Sequence, residues 1–320
     1  MTARHFTHCR RGDRVKPSML AAVDVGSNAI RFLISNVEEL TNDKPVKKNA
    51  YLRIPIRLGT DVFLYGAISE QKQAAFLDAM TGIAHIMRAY GVDHYRICAT
   101  SAMRDAANGQ DIMQLVREKT GLRIDIVTGL EEAQILFNAN ALARFTDVNS
   151  ALYVDVGGGS TEVVALRDGK LQEAFSFQLG TVRILANAVN PAEQERFRTE
   201  MRRLGEIYGP ECVIASGGNI NKVSKLLEKR DGKPVGAPEL RALHKDLLSL
   251  KLEERMEKYG LNAYRADVIV PALDIFLGVV DMSGAKQLII PKIGLVDGII
   301  RHMWLNADNL DDRACPKAQN

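Results

Sequence analysis

The sequence predicts an α/β protein of two similar domains. Two observations carry this. An apolar strand that runs into Val-Asp-Val-Gly occurs twice, once at Asp24 and again at Asp155, about half the chain apart. Strand-like and helix-like apolar patterns also alternate around both copies. A length of 320 residues fits about two domains of ~100–200 residues each.

Residues 1–18 hold five basic side chains (Arg4, Arg10, Arg11, Arg14, Lys16) against Asp13 and are expected to form a disordered basic leader, with Met19 as an alternative start. The whole chain has 42 Lys and Arg, 39 Asp and Glu, and a formal charge of +3. Without the leader the body is close to neutral. That argues against a nucleic-acid coat or a polybasic membrane binder, whose affinity rests on excess cations. An anionic substrate must then be held by a local site. No apolar run approaches the ~20 residues that span a bilayer. Cys9, Cys98, Cys212 and Cys315 are widely spaced and read as reduced thiols, so a cytoplasmic location is expected. The expected domains are 19–140 and 141–306, with a loose polar tail at 307–320.

The first copy of the repeat is LAAVDVGSNAIRFLI from Leu20, and the second is LYVDVGGGSTEVVAL from Leu152. An Asp at the end of a buried strand puts a carboxylate at the mouth of a cleft. Glycine beside it lets the backbone approach a ligand, and successive amides in such a turn make an anion site. The plainer alternative, a hairpin with a turn-capping Asp, suits one copy better than two. A third strand, Cys212–Ala215, runs into Ser216-Gly217-Gly218-Asn219 and then a helix predicted over 220–229, which is either an ordinary strand-to-helix turn or another seat for an anion.

Between the copies, Phe76, Met80, Ile83, Ile86 and Met87 share one face of a helix that ends near Gly91. A strand at Tyr95–Ala99 leads to Arg104, placed to meet phosphate or to pair with Asp105. A helix is predicted over 110–119 and a strand over 122–127. Thr128-Gly129-Leu130-Glu131 then reads as a capping box. Glu131 has that structural task; Glu132 has none, and reads either as an exposed first-turn acid favoured by the helix dipole or as a carboxylate at the domain boundary facing the cleft. Arg196, Arg198, Arg202 and Arg203 alternate with acids and read as a solvated helix face. Lys222, Lys225, Lys229 and Arg230, and also Lys47, Lys48, Arg53 and Arg57, are candidate guides for a polyanion.

VDVGSNAIRFLI, ATSAMRDAANG, VTGLEEAQILF, VDVGGGSTEVV and LGTVRI, in this order and spacing, resemble the exopolyphosphatase / guanosine pentaphosphate phosphohydrolase family (Ppx/GppA) over about residues 20–303. The resemblance implies two RNase H-like domains of the actin-like ATPase kind, with mixed sheets flanked by helices around a central cleft. It implies hydrolysis of polyphosphate or guanosine pentaphosphate with Mg²⁺. Glu132 would activate water. Asp155 and Glu162 would hold Mg²⁺ or order the water, with Asp24 their counterpart in the first domain. Gly26, Ser27, Asn28, Gly157, Gly158, Gly159, Ser160, Gly217 and Gly218 would cradle phosphates, and Arg104 would neutralise the bound chain. A homodimer is compatible with it. The chain resembles the short, two-domain form.

It departs from the pattern at Thr60-Asp61-Val62, at Asn219, at Val296-Asp297, and at Ile290–Ile293, where a Ser is usual. Those departures motivate an alternative: a protein that binds (p)ppGpp or polyphosphate without cleaving it. A small-molecule kinase of the same superfamily would need an acceptor-site Asp motif, which the sequence lacks.

Overall fold

The computed structural model describes residues 18–38, 40–41, 46–138, 148–229, 233–291, 293–306 and 314–315. The expected leader up to residue 17, the boundary at residues 140 and 141, Arg230, and all of the tail except 314–315 lie outside them.

The first half runs β1 (Met19–Val25), β2 (Ile30–Asn36), β3 (Ala50–Ile54), α1 (Leu58–Tyr65), α2 (Glu70–Ala89), β4 (His94–Ala99), α3 (Ser101–Asp105), α4 (Gly109–Thr120), β5 (Asp125–Ile126) and α5 (Gly129–Asn138). Its sheet has the order β3-β2-β1-β4-β5. The first three strands are antiparallel, and β4 and β5 join in parallel. β1 lies centrally and is buried on both faces, which is why it reads as a continuous apolar run rather than an alternation. In α2, Phe76, Met80, Ile83 and Met87 are buried on one face, as their spacing predicts. Each contributes ~1.5–3 kcal/mol by burial.

The strand expected over 122–127 is shorter in the structure. Only Asp125 and Ile126 pair with β4, while Leu122 and Ile124 pack into the core without joining the ladder. Their apolar pattern reflects packing, not strand pairing. One departure from the family pattern also finds a structural use. Asp61 in α1 accepts from the Ser69 backbone N–H at 3.1 Å and from Lys72 Nζ at 2.5 Å, tying α1 to the start of α2.

The second half runs β6 (Ser150–Val156), β7 (Thr161–Arg167), β8 (Lys170–Phe177), α6 (Thr181–Leu185), α7 (Pro191–Tyr208), β9 (Cys212–Ser216), α8 (Gly218–Leu226), β10 (Pro234–Gly236), α9 (Ala237–Ser249), α10 (Leu252–Tyr259), α11 (Ala263–Ala266), α12 (Ile269–Ser283), β11 (Gln287–Ile289) and α13 (Leu295–Leu305). Its sheet has the order β10-β11-β9-β6-β7-β8. β6, β7 and β8 are antiparallel, and β9 and β11 run parallel to β6. This is the first sheet repeated, with β10 added at one edge. The expected fold of two mixed sheets flanked by helices is borne out.

The halves exchange helices. α5 packs on β7 and β8 of the second sheet, and α13 packs on β1 and β2 of the first. One apolar cluster therefore joins Leu20 and Leu33 to Tyr153, Val164, Ile299 and Met303. α13 crosses α5 at Gly298, where a Cβ would lie 2.5 Å from the Ile135 carbonyl oxygen. That close approach fixes α5, and with it Glu132, over the ends of β1 and β6. No helix among the described residues is long and apolar enough to cross a membrane.

Candidate active site

The two repeated turns face each other. Gly26 N–H donates to the Ala29 carbonyl, and Gly157 N–H donates to the Ser160 carbonyl, so each closes the same tight loop. A Cβ at Gly158 would lie 3.0 Å from Ser27 Cβ and 3.1 Å from the Asn28 amide nitrogen. At Gly159 it would lie 2.2 Å from Ser101 Oγ. These glycines thus let the two halves touch, in addition to any approach by a ligand. Gly26, Ser27, Asn28, Gly157, Gly158 and Ser160 line one narrow cleft; Gly159 sits behind it.

The start of α6 holds the second turn by its carbonyls. Thr181 N–H donates to Gly157 O at 3.1 Å, Val182 N–H to Gly158 O at 2.8 Å, and Arg183 Nε to Gly159 O at 2.9 Å. Arg183 also crosses to the first half, pairing with Asp105 at 2.6 Å over the Phe63 ring. LGTVRI contains both Gly180 and Arg183, but the motif alone marks neither as a site residue. In the third turn Gly217 has φ 114°, and a Cβ there would sit 2.8 Å from the Val156 carbonyl oxygen. Gly217 and Gly218 line the cleft, and α8 begins at Gly218, two residues before the expected start.

Three acids meet at the floor. Glu131 makes the predicted capping box: Thr128 N–H donates to Glu131 Oε2 at 2.8 Å, and Glu131 N–H to Thr128 Oγ1 at 3.2 Å. One residue on, Glu132 turns inward. Oxygens of Glu132, Asp155 and Glu162 lie within 4.8 Å of one another, and all three side chains are buried. Glu162 Oε1 accepts from Ser176 Oγ at 2.9 Å. Glu132 Oε2, Asp155 Oδ1 and Glu162 Oε2 have no hydrogen-bond partner. Burial first, and then the Glu162, Asp24 and Asp155 charges, push the Glu132 carboxyl well above its ordinary range, against Arg104. Burial and Asp155 likewise raise Glu162, and burial raises Asp155. Buried carboxylates with unpaired oxygens are costly unless a proton or a cation satisfies them.

Asp24 stands apart from the trio. Its Oδ2 accepts from Arg31 Nη1 at 2.5 Å, across the β1–β2 pair. Arg31 lines the cleft and belongs to a group with Arg53, Arg57 and Arg265. Burial, and then the charges of Arg265 and Arg31, lower Arg53 to about 10. Arg57 is paired with Asp267 at 2.5 Å, and Arg265 donates to the Gly218 carbonyl at 2.6 Å. Lys48 also lines the cleft, 3.2 Å from Asp297. Lys48, Arg53 and Arg57 were candidate guides; Arg31 and Arg265 went unnoticed. The position of Arg31 in the hairpin, opposite Asp24, was the available signal.

The other predicted cations lie elsewhere. Arg104 does not line the cleft but sits behind the acids, where Nη1 donates to the Val127 carbonyl at 2.8 Å. Lys222 and Lys225 do not line it either, and Lys229 pairs with Glu239.

Comparison with known proteins agrees with this geometry. The family model described as Ppx/GppA phosphatase family matches residues 50–307. The chain is 23% identical over 309 residues to a putative exopolyphosphatase of Haemophilus influenzae, covering 92% of this chain and 94% of that protein. It is 27% identical over 304 residues to a bifunctional 3-dehydroquinate synthase/phosphatase of Fusobacterium nucleatum, covering 88% of this chain but only 46% of that one. The crystal structure of an exopolyphosphatase from Cytophaga hutchinsonii superposes with a TM-score of 0.79 at 20% identity, over 90% of this chain and 98% of that one. With the duplicated Asp-Gly turns, the exchanged helices and a family match over most of its length, the chain belongs to the Ppx/GppA phosphatase family.

Proposed function

We propose that this protein is a Mg²⁺-dependent phosphoanhydride hydrolase that removes the terminal phosphate of inorganic polyphosphate, of guanosine pentaphosphate, or of both. The observation that carries the reading is the buried trio Glu132, Asp155 and Glu162 facing two Asp-Gly turns. Kinship with proteins named exopolyphosphatase favours polyphosphate.

The unpartnered carboxylate oxygens of this trio fit a divalent cation, and Asp155 and Glu162 would hold it. When bound, Mg²⁺ supplies neutralisation of phosphate charge. The rest falls to the chain's own groups. Amides of the glycine turns and Arg31 hold the phosphates by charge-assisted hydrogen bonds. Glu132 and Asp155 line the cleft, while Glu162 does not and is fixed by Ser176. With Asp155 and Glu162 given to the cation, Glu132 is the base: it takes a proton from the attacking water. The water oxygen bonds to the terminal phosphorus, and the bridging P–O bond breaks with its electron pair on the shortened chain.

Purified protein should release phosphate from long-chain polyphosphate, short-chain polyphosphate or guanosine pentaphosphate with Mg²⁺, and stop on chelation. Tight binding of these compounds with no release under any divalent metal would replace this reading by the non-hydrolysing binder. A second test needs no turnover. Mg²⁺ is expected to raise the melting temperature by a few degrees, since a ligand at 100 times its Kd stabilises by about 2.7 kcal/mol. Asp155→Asn should abolish that rise; an equal rise in the variant would remove the acids from the metal site.

A further inference from the structure

A second hollow, open to solvent, lies on the far side of the acids. Arg104, Gly129, Ser176, Gln178, Glu193 and Arg196 are among its lining. The partition between it and the acids is one side chain thick. Ser176 lines the hollow and its Oγ donates to Glu162 Oε1 at 2.9 Å. Gly129 lines it too, and a Cβ there would lie 2.0 Å from Ser176 Oγ and 3.6 Å from Glu162 Oε1. Beyond that partition Glu162, only 1% exposed, has a second oxygen without a partner.

The hollow favours an anion. Arg104 and Arg196 bring two positive charges against one Glu193, which Arg196 holds at 2.6 Å. The first residues of α5 and α7 also border it, so two helix starts add positive potential. Its chemistry suits a small tetrahedral oxyanion better than a nucleotide base, since its lining offers no aromatic face.

The proposed reaction creates a need for such a site. Water attacks the terminal phosphate, so the product forms at the inner end of the bound chain, against the acids. The remaining polyanion still fills the front cleft. We infer that the hollow lined by Arg104 and Arg196 takes up the orthophosphate product from behind the acids and releases it to solvent, with Ser176 and Gly129 as the partition it passes. The exit role rests on the hydrolase reading; the anion site does not.

The test separates the two. With the front cleft saturated by a methylene-bridged triphosphate, equilibrium dialysis of labelled orthophosphate reports on the rear hollow. Arg196→Glu should weaken that binding about tenfold, the effect of reversing one nearby charge. Gln178→Glu, at an exposed side chain that perturbs no packing, should weaken it in the same direction. Orthophosphate bound equally by wild type and both variants would overturn the site. During turnover of polyphosphate, quenched samples report cleavage and a fluorescent phosphate sensor reports free phosphate. Both variants should show free phosphate lagging behind cleavage. Weakened binding with no lag would overturn the exit role. Absence of any cleavage by wild type would instead sink the hydrolase reading, and the dialysis result would still decide the anion site.

Discussion

Replacing Glu132 by glutamine is expected to cut phosphate release about 10²–10⁴-fold, the usual contribution of a positioned general base. Polyphosphate binding should stay within a few-fold of wild type. The amide keeps the shape and fills the same space in the first turn of α5, so the crossing of α5 with α13 is untouched. What it loses is the ability to accept a proton. Substrate contacts come mainly from the glycine turns and the arginines, which the substitution leaves in place. Phosphate release at the wild-type rate would show that water is activated by another group and would leave Glu132 as part of the acid floor alone.

The same variant has a second expected signature, in stability rather than rate. Burial raises Glu162 from its ordinary 4.5 to about 8, and Glu132 also shifts up, helped by the charges of its neighbours. Each such acid binds a proton more readily in the folded chain than in the unfolded one. Below the ordinary carboxyl range both states are protonated and there is no penalty. As pH climbs from about 4.5 towards about 8, the unfolded acids ionise freely while the folded ones resist, and stability falls. In chelator, wild type should therefore melt progressively lower across that window, and Glu132→Gln should fall less steeply. Parallel slopes would mean that the trio does not carry the repulsion its proximity implies.

The legible and illegible parts of the molecule divide by how far apart in the chain their causes lie. The β1–β2 and β6–β7 hairpins, α2 and the Thr128 capping box are set by neighbours within a few residues, and periodicity or a cap residue exposes them. Glu132 was readable for the same reason: its neighbour already held the cap, leaving it free. The Asp24–Arg31 pair was within reach, since both lie on one hairpin, but reading it requires the strand register. The arginine group was not, because Arg53 and Arg265 come together only when the two halves close. Nor was the displacement of Arg104 to the rear hollow; a strand end points at a ligand or past it according to what packs alongside, and here the start of α5 packs alongside. The glycines show the same limit from another side. Gly158 and Gly159 read as phosphate-binding residues, whereas contact with Ser27 and Ser101 also demands them. Gly298 stands in no motif that marks its task, which is the crossing with Ile135.

Gly180→Ala is expected to lower activity about 10²-fold, the usual cost of displacing reacting groups by an ångström. A Cβ at Gly180 would lie 2.5 Å from Gly158 C and from Gly159 N and C, which are all backbone atoms. No side chain there can rotate away, so the Gly157–Ser160 turn must move. That turn hangs from the start of α6 through the Thr181, Val182 and Arg183 amides, and the same few atoms press it against Ser27. A shift therefore reaches both the phosphate seat and the contact between the halves. Overpacking by one methyl also costs about 1–3 kcal/mol of stability, so instability has to be told apart from misplacement. Gly205→Ala supplies the comparison. There a Cβ would meet the Ser283 backbone at 2.7 Å, where α7 crosses α12 away from the cleft. Both variants should lose melting temperature. Only Gly180→Ala should lose activity per folded molecule, measured by phosphate release well below either transition. If the two retain the same activity, the α6 start does not position the turn, and the alignment of phosphates depends on the cleft-facing groups alone.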